Sequence, residues 1–284
     1  MKILVTGSSG KIGIKVTKYL IKNRIFCYGN SRRKLTIKSS EKYFKNYNGD
    51  LLSKLFSLPE DIDVFCHLAF ETDYYFKKVS LKKALRINKK IFNLIRKHKK
   101  IKKFIFISSA SVYSSKNSGQ VSEKIKYLNS NIYSISKFKS EKMFLKLKNI
   151  KVYNLRIPAV LSTGKENNFI CNTIKKIKKN KPITVYNPEN FFNNIILVKD
   201  LSNFILKLIR GNFKRGTILL GSKQPIKNKF MIRKLIDYFR SKSIVTWQYK
   251  KKGFYLSLSK AIRLYKFKPK GTMSGIYEYL KFKY

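Results

Sequence analysis

The first twenty residues, MKILVTGSSGKIGIKVTKYL, constrain the fold more than any other stretch of the chain. Ile3, Leu4 and Val5 form a short apolar run of the kind that fills a strand buried on both faces. Gly7, Gly10 and Gly13 follow at once, and from Ile12 the apolar residues return at helical spacing through Val16, Tyr19 and Leu20. A strand, a glycine turn and a helix in that order make a ready dinucleotide site. The glycines let the backbone approach a pyrophosphate, and the helix entered through Lys11 and Ile12 turns its free N–H groups and positive dipole end toward it.

The same alternation continues through the first half. Ile25–Tyr28 reads as a second strand, Asp63–Ala69 contains another, and Phe104–Ile107 is a buried strand ending in Ser108 and Ser109. Leu81–Lys97 and Tyr133–Leu147 have helical spacing, and Val152–Arg156 is a further strand. The βαβα order predicts an α/β fold, a Rossmann-type doubly wound parallel sheet covered on both faces. After about residue 160 the alternation loosens, and Pro182, Pro188, Pro225 and Pro269 punctuate it. The expected division is a dinucleotide-binding domain over residues 1–160 and a smaller substrate-binding region over 161–284, with some of its elements returning to the first core.

Composition narrows the function classes. With 284 residues and 43% hydrophobic content the chain can bury a core of ordinary size. Cys27, Cys66 and Cys171 are odd in number and scattered, two of them in apolar runs, so free buried thiols are expected rather than a disulfide frame. Only two histidines and no cysteine pairs argue against a metal site. No apolar run approaches the length of a membrane span, and the N-terminus enters a strand directly, so a cytoplasmic location is expected. The formal net charge of +50 would attract polyanions and membrane surfaces nonspecifically. The lysines, however, are spread over helix faces and loops and form no recognised nucleic-acid motif, and compositional drift toward Lys, Ile, Asn, Phe and Tyr accounts for most of the excess.

Chemistry points to Tyr133 and Lys137. On a helix, i and i+4 share a face, so the ammonium can lie near the phenol. A free Tyr has a pKa of about 10, and a nearby cation stabilises the phenolate, giving a general acid/base usable near neutral pH. The spacing alone carries little weight, because a chain this rich in Tyr and Lys yields roughly three such matches by chance. Tyr74/Lys78, Tyr238/Lys242, Tyr277/Lys281 and Tyr279/Lys283 share it. Context singles out Tyr133: Ser108, Ser109 and Ser111 stand just upstream at the end of a buried strand, where α/β sheets bind ligands.

Taken together, the glycine spacing GxxGxxG, ISSASVY (107–113) and YSISKFKSE (133–141) resemble the extended short-chain dehydrogenase/reductase superfamily of NAD(P)-dependent nucleotide-sugar epimerases, dehydratases and ketoreductases. The resemblance implies Ser109, Tyr133 and Lys137 as catalytic residues. GDL (49–51) looks like the adenine-contacting segment and gives Asp50 and Leu51. HLAF (67–70) is similar to HLAA beside the cofactor ribose and pyrophosphate and gives Leu68, Ala69 and Phe70, the last also near substrate. Asn88 matches the helix Asn that supports the active site. LRIPAV (155–160) resembles LRxxNV, placing Pro158 and Val160 by the nicotinamide. NNIILVKDL (193–201) resembles RDFIHVDDV, with the Arg replaced by Asn193, which implies a substrate contact there; a lysine or Arg215 would have to supply the missing charge. SLSKAIRLYKFKP (257–269) is similar to the DxSKAxRxLGFxP stretch, so the likeness spans nearly the whole chain.

After the second strand stand Asn30, Ser31, Arg32 and Arg33, with no carboxylate to bond a ribose 2′-OH. Two guanidinium groups suit a 2′-phosphate, so NADP is favoured over NAD. The leading expectation is 4-epimerisation of a nucleotide-activated sugar. The alternative is an NADPH-dependent 4-keto-sugar-nucleotide reductase, and a non-catalytic NAD(P)-binding regulator or RNA-binding protein of the same fold stays open. A 4,6-dehydratase normally needs an acidic pair where Ala110 and Ser111 stand, so dehydration is disfavoured. The family also implies a homodimer through helices near 88–100 and 135–147, and a supply role for polysaccharide synthesis.

Overall fold

The structure is a computed structural model and describes every residue except 33, 34, 36, 38–40, 48, 71–78, 163–166, 250–252 and 284. Arg33, Tyr74 and Lys78 therefore lie outside the described residues. The strands are β1 (Lys2–Thr6), β2 (Phe26–Asn30), β3 (Phe44–Asn46), β4 (Val64–His67), β5 (Lys103–Ser109), β6 (Gly119–Val121), β7 (Lys151–Ile157), β8 (Ala159–Leu161), β9 (Ile183–Tyr186), β10 (Phe191–Phe192), β11 (Ile195–Leu197), β12 (Gly216–Leu219), β13 (Ile226–Lys227), β14 (Val245–Gln248) and β15 (Phe254–Leu256). The α-helices are α1 (Lys11–Lys22), α2 (Leu81–Lys97), α3 (Ile132–Phe144), α4 (Phe169–Lys178), α5 (Val198–Arg210), α6 (Asn228–Phe239), α7 (Ser259–Tyr265) and α8 (Thr272–Lys283).

Seven strands form one parallel sheet in the order β12-β7-β5-β4-β1-β2-β3. Successive side chains of a strand face opposite ways, and the apolar residues divide accordingly. Ile3, Val5, Val64, Cys66, Ile105, Ile107, Tyr153 and Leu155 face one layer, where α1 and α5 supply Val16, Leu20, Leu201, Phe204 and Ile205. Leu4, Phe65, Phe104, Phe106 and Val152 face the other, against Ile91 and Ile95 of α2 and Phe144 of α3. Both faces are covered, which is why these strands read as unbroken apolar runs.

A third apolar cluster lies in the C-terminal half. It joins Leu161, Ile170, Ile174, Ile177, Ile183, Ile195, Met231, Ile232, Leu235, Ile276 and Leu280. Small two-stranded sheets, β11-β8, β14-β9 and β10-β13, frame it. The 161–284 segment also returns to the main core: β12 pairs with β7, and α5 covers the same face as α1.

Among the boundaries that differ from the sequence expectation, two bear on the site. The second strand runs on to Asn30, whose carbonyl accepts from both Ser8 N and Ser8 Oγ at 3.1 Å. The expected Tyr133–Leu147 helix ends at Phe144. Arg215 donates there to the carbonyls of Leu145 and Leu147, satisfying groups that the helix end leaves unpaired. Arg215 is thus held at the far end of α3, which corrects the idea that it replaces the cation missing at Asn193.

The three cysteines are free and buried. Among the described residues, no helix is long and apolar enough to cross a membrane.

Candidate active site

Because the sheet is parallel, β1, β2, β4, β5 and β7 all end along one edge, at Thr6, Asn30, His67, Ser109 and Ile157. The order reverses between β1 and β4, and ligands of doubly wound sheets bind at that crevice. Apart from Asp50 and Leu51, which follow β3, the candidate residues from the first half of the chain lie on these strand ends or on the segments that follow them.

The glycine turn occupies the switch point. Gly7 has φ +71°, and a Cβ there would stand 2.8 Å from the N and Cα of Ala69. A Cβ on Gly13 would stand 2.0 Å from the Gly7 carbonyl oxygen, and one on Gly10 would stand 3.1 Å from it. Gly10 N donates to Gly7 O at 2.9 Å, closing the turn. The N-cap of α1 is Gly10, with no side-chain cap and no acidic residue in the first turn around Lys11 and Ile12. A bare, uncapped helix start behind a turn with no room for a Cβ at Gly7 or Gly13 fits a dinucleotide pyrophosphate.

Around this turn the polar residues are committed to the frame. Asn30 is buried and its amide donates to the carbonyls of Tyr47 and Gly49 at 2.9 and 3.1 Å, fixing the approach to Asp50. Asp50 is exposed, and its carboxylate accepts from Leu52 N at 2.9 Å; Leu51 is buried in the apolar layer. Ser31 is buried, whereas Arg32 is exposed. Leu68, Ala69 and Phe70 leave β4 half-buried, with Leu68 N bonded to Thr6 O at 3.2 Å.

The helix that carries Tyr133 and Lys137 follows from its caps and its buried face. Asn131 caps α3 by accepting from Ser134 N at 2.7 Å, and Ser134 Oγ donates to the Ser111 carbonyl at 2.7 Å. These bonds dock the start of α3 on the short 3-10 turn Ala110–Val112, whose N-cap Ser109 accepts from Ser111 N at 3.1 Å. Lys137 is 4% exposed, and its Nζ donates to Ile107 O at 2.8 Å. The ammonium lies 4.7 Å from the ring centre of Phe70, 4.8 Å from Phe106 and 5.8 Å from Tyr133. Burial lowers its pKa to about 7, against a smaller upward pull from Glu141. Tyr133 is half-buried, with its ring edge-on to Phe70 at 4.7 Å. The competing pairs differ: Tyr238 is 47% exposed with an exposed Lys242, and Lys281 and Lys283 are not buried. Among the described residues, only Tyr133/Lys137 combines this spacing with a buried ammonium.

Two networks behind the pair were not legible in the sequence. Ser108 is buried and donates to Glu141. Arg156 clamps both carboxylate oxygens of Glu141, with contacts at 3.0, 3.2 and 2.7 Å, and reaches Tyr113 Oη at 3.1 Å and Glu123 O at 2.7 Å. Glu141 and Arg156 are 2% and 3% exposed. The second network runs through Asn88, a polar residue in the buried stripe Ala84, Asn88, Ile91, Ile95 of α2. It accepts from His67 at 3.0 Å and donates to Ser140 at 2.7 Å. The resemblance pointed to Asn88 as a support of the site, but its partners His67 and Ser140 could not be read from the sequence.

On the C-terminal side, Pro158 and Val160 are half-buried where the chain leaves β7. Asn193, expected at the substrate, is 1% exposed, and its amide is fully engaged elsewhere. It donates to Ser222 O at 3.1 Å and Leu256 O at 2.9 Å and accepts from Leu256 N at 2.7 Å. Where relatives of the resembling family carry an arginine, this chain has a knot that ties β11, β15 and the segment after β12 together.

A Rossmann-type fold of the extended short-chain dehydrogenase/reductase kind is thereby defined. The chain belongs to the NAD dependent epimerase/dehydratase family, whose model matches residues 3–221. It is 27% identical to an uncharacterized protein of Methanocaldococcus jannaschii over 95% of this chain and 92% of that one. Solved structures agree in fold. UDP-glucuronic acid 4-epimerase of Bacillus cereus, in complex with UDP-glucuronic acid and NAD, superposes with TM-score 0.79 at 22% identity over the whole of both chains. UDP-N-acetylglucosamine 4-epimerase of the same organism gives 0.76 at 19% identity, again over the whole of both chains.

Proposed function

We propose that this protein is an NAD(P)-dependent 4-epimerase of a nucleotide-activated sugar. The observation that carries the reading is the buried Lys137 ammonium beside Tyr133, at the strand edge that also presents the glycine turn and Ser109. Bound NAD(P) supplies a hydride acceptor that later returns the hydride. Gly7, Gly10 and Gly13 hold its pyrophosphate, with Leu68, Ala69, Pro158 and Val160 along its path. Tyr133 takes the proton of the sugar hydroxyl as the hydride leaves the same carbon, and returns it when the keto sugar is reduced from the other face, so the redox balance closes. Lys137 stabilises the phenolate, and Ser109 and Ser111 hold the sugar oxygen. Phe70 keeps water from the ammonium. A homodimer through the outer faces of α2 and α3 completes the proposal.

One observation favours a second reading. Arg32 is exposed just past β2, where the sequence Asn30-Ser31-Arg32-Arg33 offers no carboxylate, and a guanidinium there suits a 2′-phosphate. NADP(H) is therefore the favoured cofactor, and an NADPH-dependent 4-keto-sugar-nucleotide reductase uses the same residues with a single hydride transfer. The deciding experiment denatures the purified protein, identifies any released nucleotide, and titrates NADH and NADPH by fluorescence. Released NAD and turnover of UDP-sugars without added cofactor support the epimerase. An empty protein that binds NADPH more tightly supports the reductase. Binding of neither overturns both.

A further inference from the structure

We propose that His67 is a positioning residue, a neutral imidazole that joins the cofactor turn to the helix carrying Tyr133 and Lys137. The inference rests on the reading of that pair as the acid/base machinery. Thr6 is the last residue before Gly7, and its Oγ1 lies 2.7 Å from His67 Nδ1. His67 Nε2 lies 3.0 Å from Asn88 Oδ1. Asn88 Nδ2 donates to Ser140 Oγ at 2.7 Å, Ser140 Oγ to Ser136 O at 2.7 Å, and Ser136 Oγ to Tyr133 O at 2.8 Å. The path crosses from β1 through β4 and α2 to α3, and every side chain in it is buried.

The protons along it have one arrangement. Ser140 has a single hydroxyl hydrogen, and that goes to the Ser136 carbonyl, so Ser140 accepts from Asn88. Asn88 thus turns its amide nitrogen to α3 and its carbonyl oxygen to His67. His67 must then carry its proton on Nε2, leaving Nδ1 to accept from the Thr6 hydroxyl. Thr6 Oγ1 in turn accepts from Ala69 N at 3.5 Å, on the segment against which Gly7 packs. A protonated ring would lose its acceptor and place a second cation near Lys137. Burial, with that lysine as the next cause, holds the His67 pKa down to about 3, so the ring stays neutral. Its stacking on Phe106 at 5.9 Å orients the ring, and the Lys137 ammonium lies 4.8 Å from the centre of the same Phe106 ring.

Three measurements test the role. The chain has only two histidines, so in a His98→Gln variant the nitrogen NMR spectrum of the imidazole reports His67 alone. An Nε2–H tautomer unchanged between about pH 5 and 8 is expected, and a ring that titrates near its free value of about 6.5 overturns the proposal. His67→Phe keeps an aromatic body but breaks both bonds, and it is expected to lower kcat about tenfold or more with KM nearly unchanged. His67→Gln, which can still donate to Asn88, is expected to recover most of that loss. Equal kcat per folded molecule in His67→Phe and wild type overturns the role. Amide hydrogen exchange needs no substrate: in folded His67→Phe the first turns of α3 lose protection at least about tenfold while α4 does not. Unchanged exchange in α3 also overturns the proposal. If the wild type turns over no nucleotide sugar, the epimerase reading fails, while the tautomer and exchange results still decide whether His67 positions α3.

Discussion

The Phe70 ring meets the Tyr133 ring edge-on at 4.7 Å while its face lies 4.7 Å from the Lys137 ammonium. One side chain thus touches both members of the candidate acid/base pair and does two opposing things to the lysine. Its bulk excludes water, which disfavours the charged form, and its π-face attracts the cation, which favours it. Substitutions separate the two effects. Phe70→Leu keeps the bulk and removes the π-face, so the Lys137 pKa falls below its value of about 7. Phe70→Ala admits water, and because desolvation is the main cause of the depression, the pKa is expected to rise toward the ordinary lysine range. Residue-specific acetylation rates against pH, read by peptide mass spectrometry, give both midpoints. Shifts of the same sign in the two variants contradict this account.

Burying Lys137 also makes stability depend on pH in a defined direction. Its folded pKa of about 7 lies below the ordinary lysine value of 10.5, so between these values the unfolded chain binds more protons. Stability therefore rises with pH across that window, and the cost of burying the charge is fully present below about pH 7. Lys137→Met removes the cost while keeping the length of the side chain. Its melting temperature is expected to exceed that of the wild type at pH 6 and 7, with the gain shrinking toward pH 10, and its turnover should be abolished. Thermal melts across this range check the trend; a gain that grows with pH refutes it.

The Glu141–Arg156 pair is expected to matter through what its rupture leaves behind. Removing one partner strands a buried charge, so Glu141→Gln and Arg156→Met each cost about 3–5 kcal/mol. Removing both restores neutrality, and the double variant should lose clearly less than the sum of the singles. Urea denaturation of the four proteins measures the coupling. Because Ser108 also bonds Glu141, the singles should disturb the Ser108–Ser111 turn and lower kcat beyond their effect on stability.

The contrast between these networks and the glycine turn explains what was readable in the sequence. Strand, turn and helix are local: the apolar run at Ile3–Val5 and the spacing of Gly7, Gly10 and Gly13 identify themselves without knowledge of partners. Leu81–Lys97 was legible to the residue from the helical spacing of Leu85, Asn88, Phe92 and Ile95, although the face the helix buries is Ala84, Asn88, Ile91 and Ile95, with Leu85 and Phe92 only half-buried. Partner choice is not local. Ser108 could be placed beside a cofactor, but its hydrogen bond to Glu141 depends on a helix 33 residues away. Asn193 could be aligned with an arginine of related chains, yet its bonds to Ser222 and Leu256 arise only when the turn between β10 and β11 meets β15 and the segment after β12. The carboxamide at this position has donors and an acceptor that match three backbone groups, which a guanidinium cannot do.

Sterics at the glycine turn allow a graded test of the cofactor cradle. Gly13→Ala drives its methyl to 2.0 Å from the Gly7 carbonyl oxygen, backbone that cannot swing aside, so the start of α1 must move. Gly7→Ala adds a methyl at 2.8 Å from Ala69 backbone and forces φ +71° on an L residue. Gly119 has nearly the same φ, +70°, but a Cβ there meets nothing within 4 Å. Gly119→Ala is therefore expected to cost only the backbone term, about 1–2 kcal/mol, and to leave NADH and NADPH binding intact. Gly13→Ala and Gly7→Ala should weaken both dinucleotides at least about tenfold, since the pyrophosphate relies on the position of these N–H groups. Fluorescence titration of the folded variants measures this. Normal binding by Gly13→Ala would remove the glycine turn from the cofactor site, whatever happened to stability.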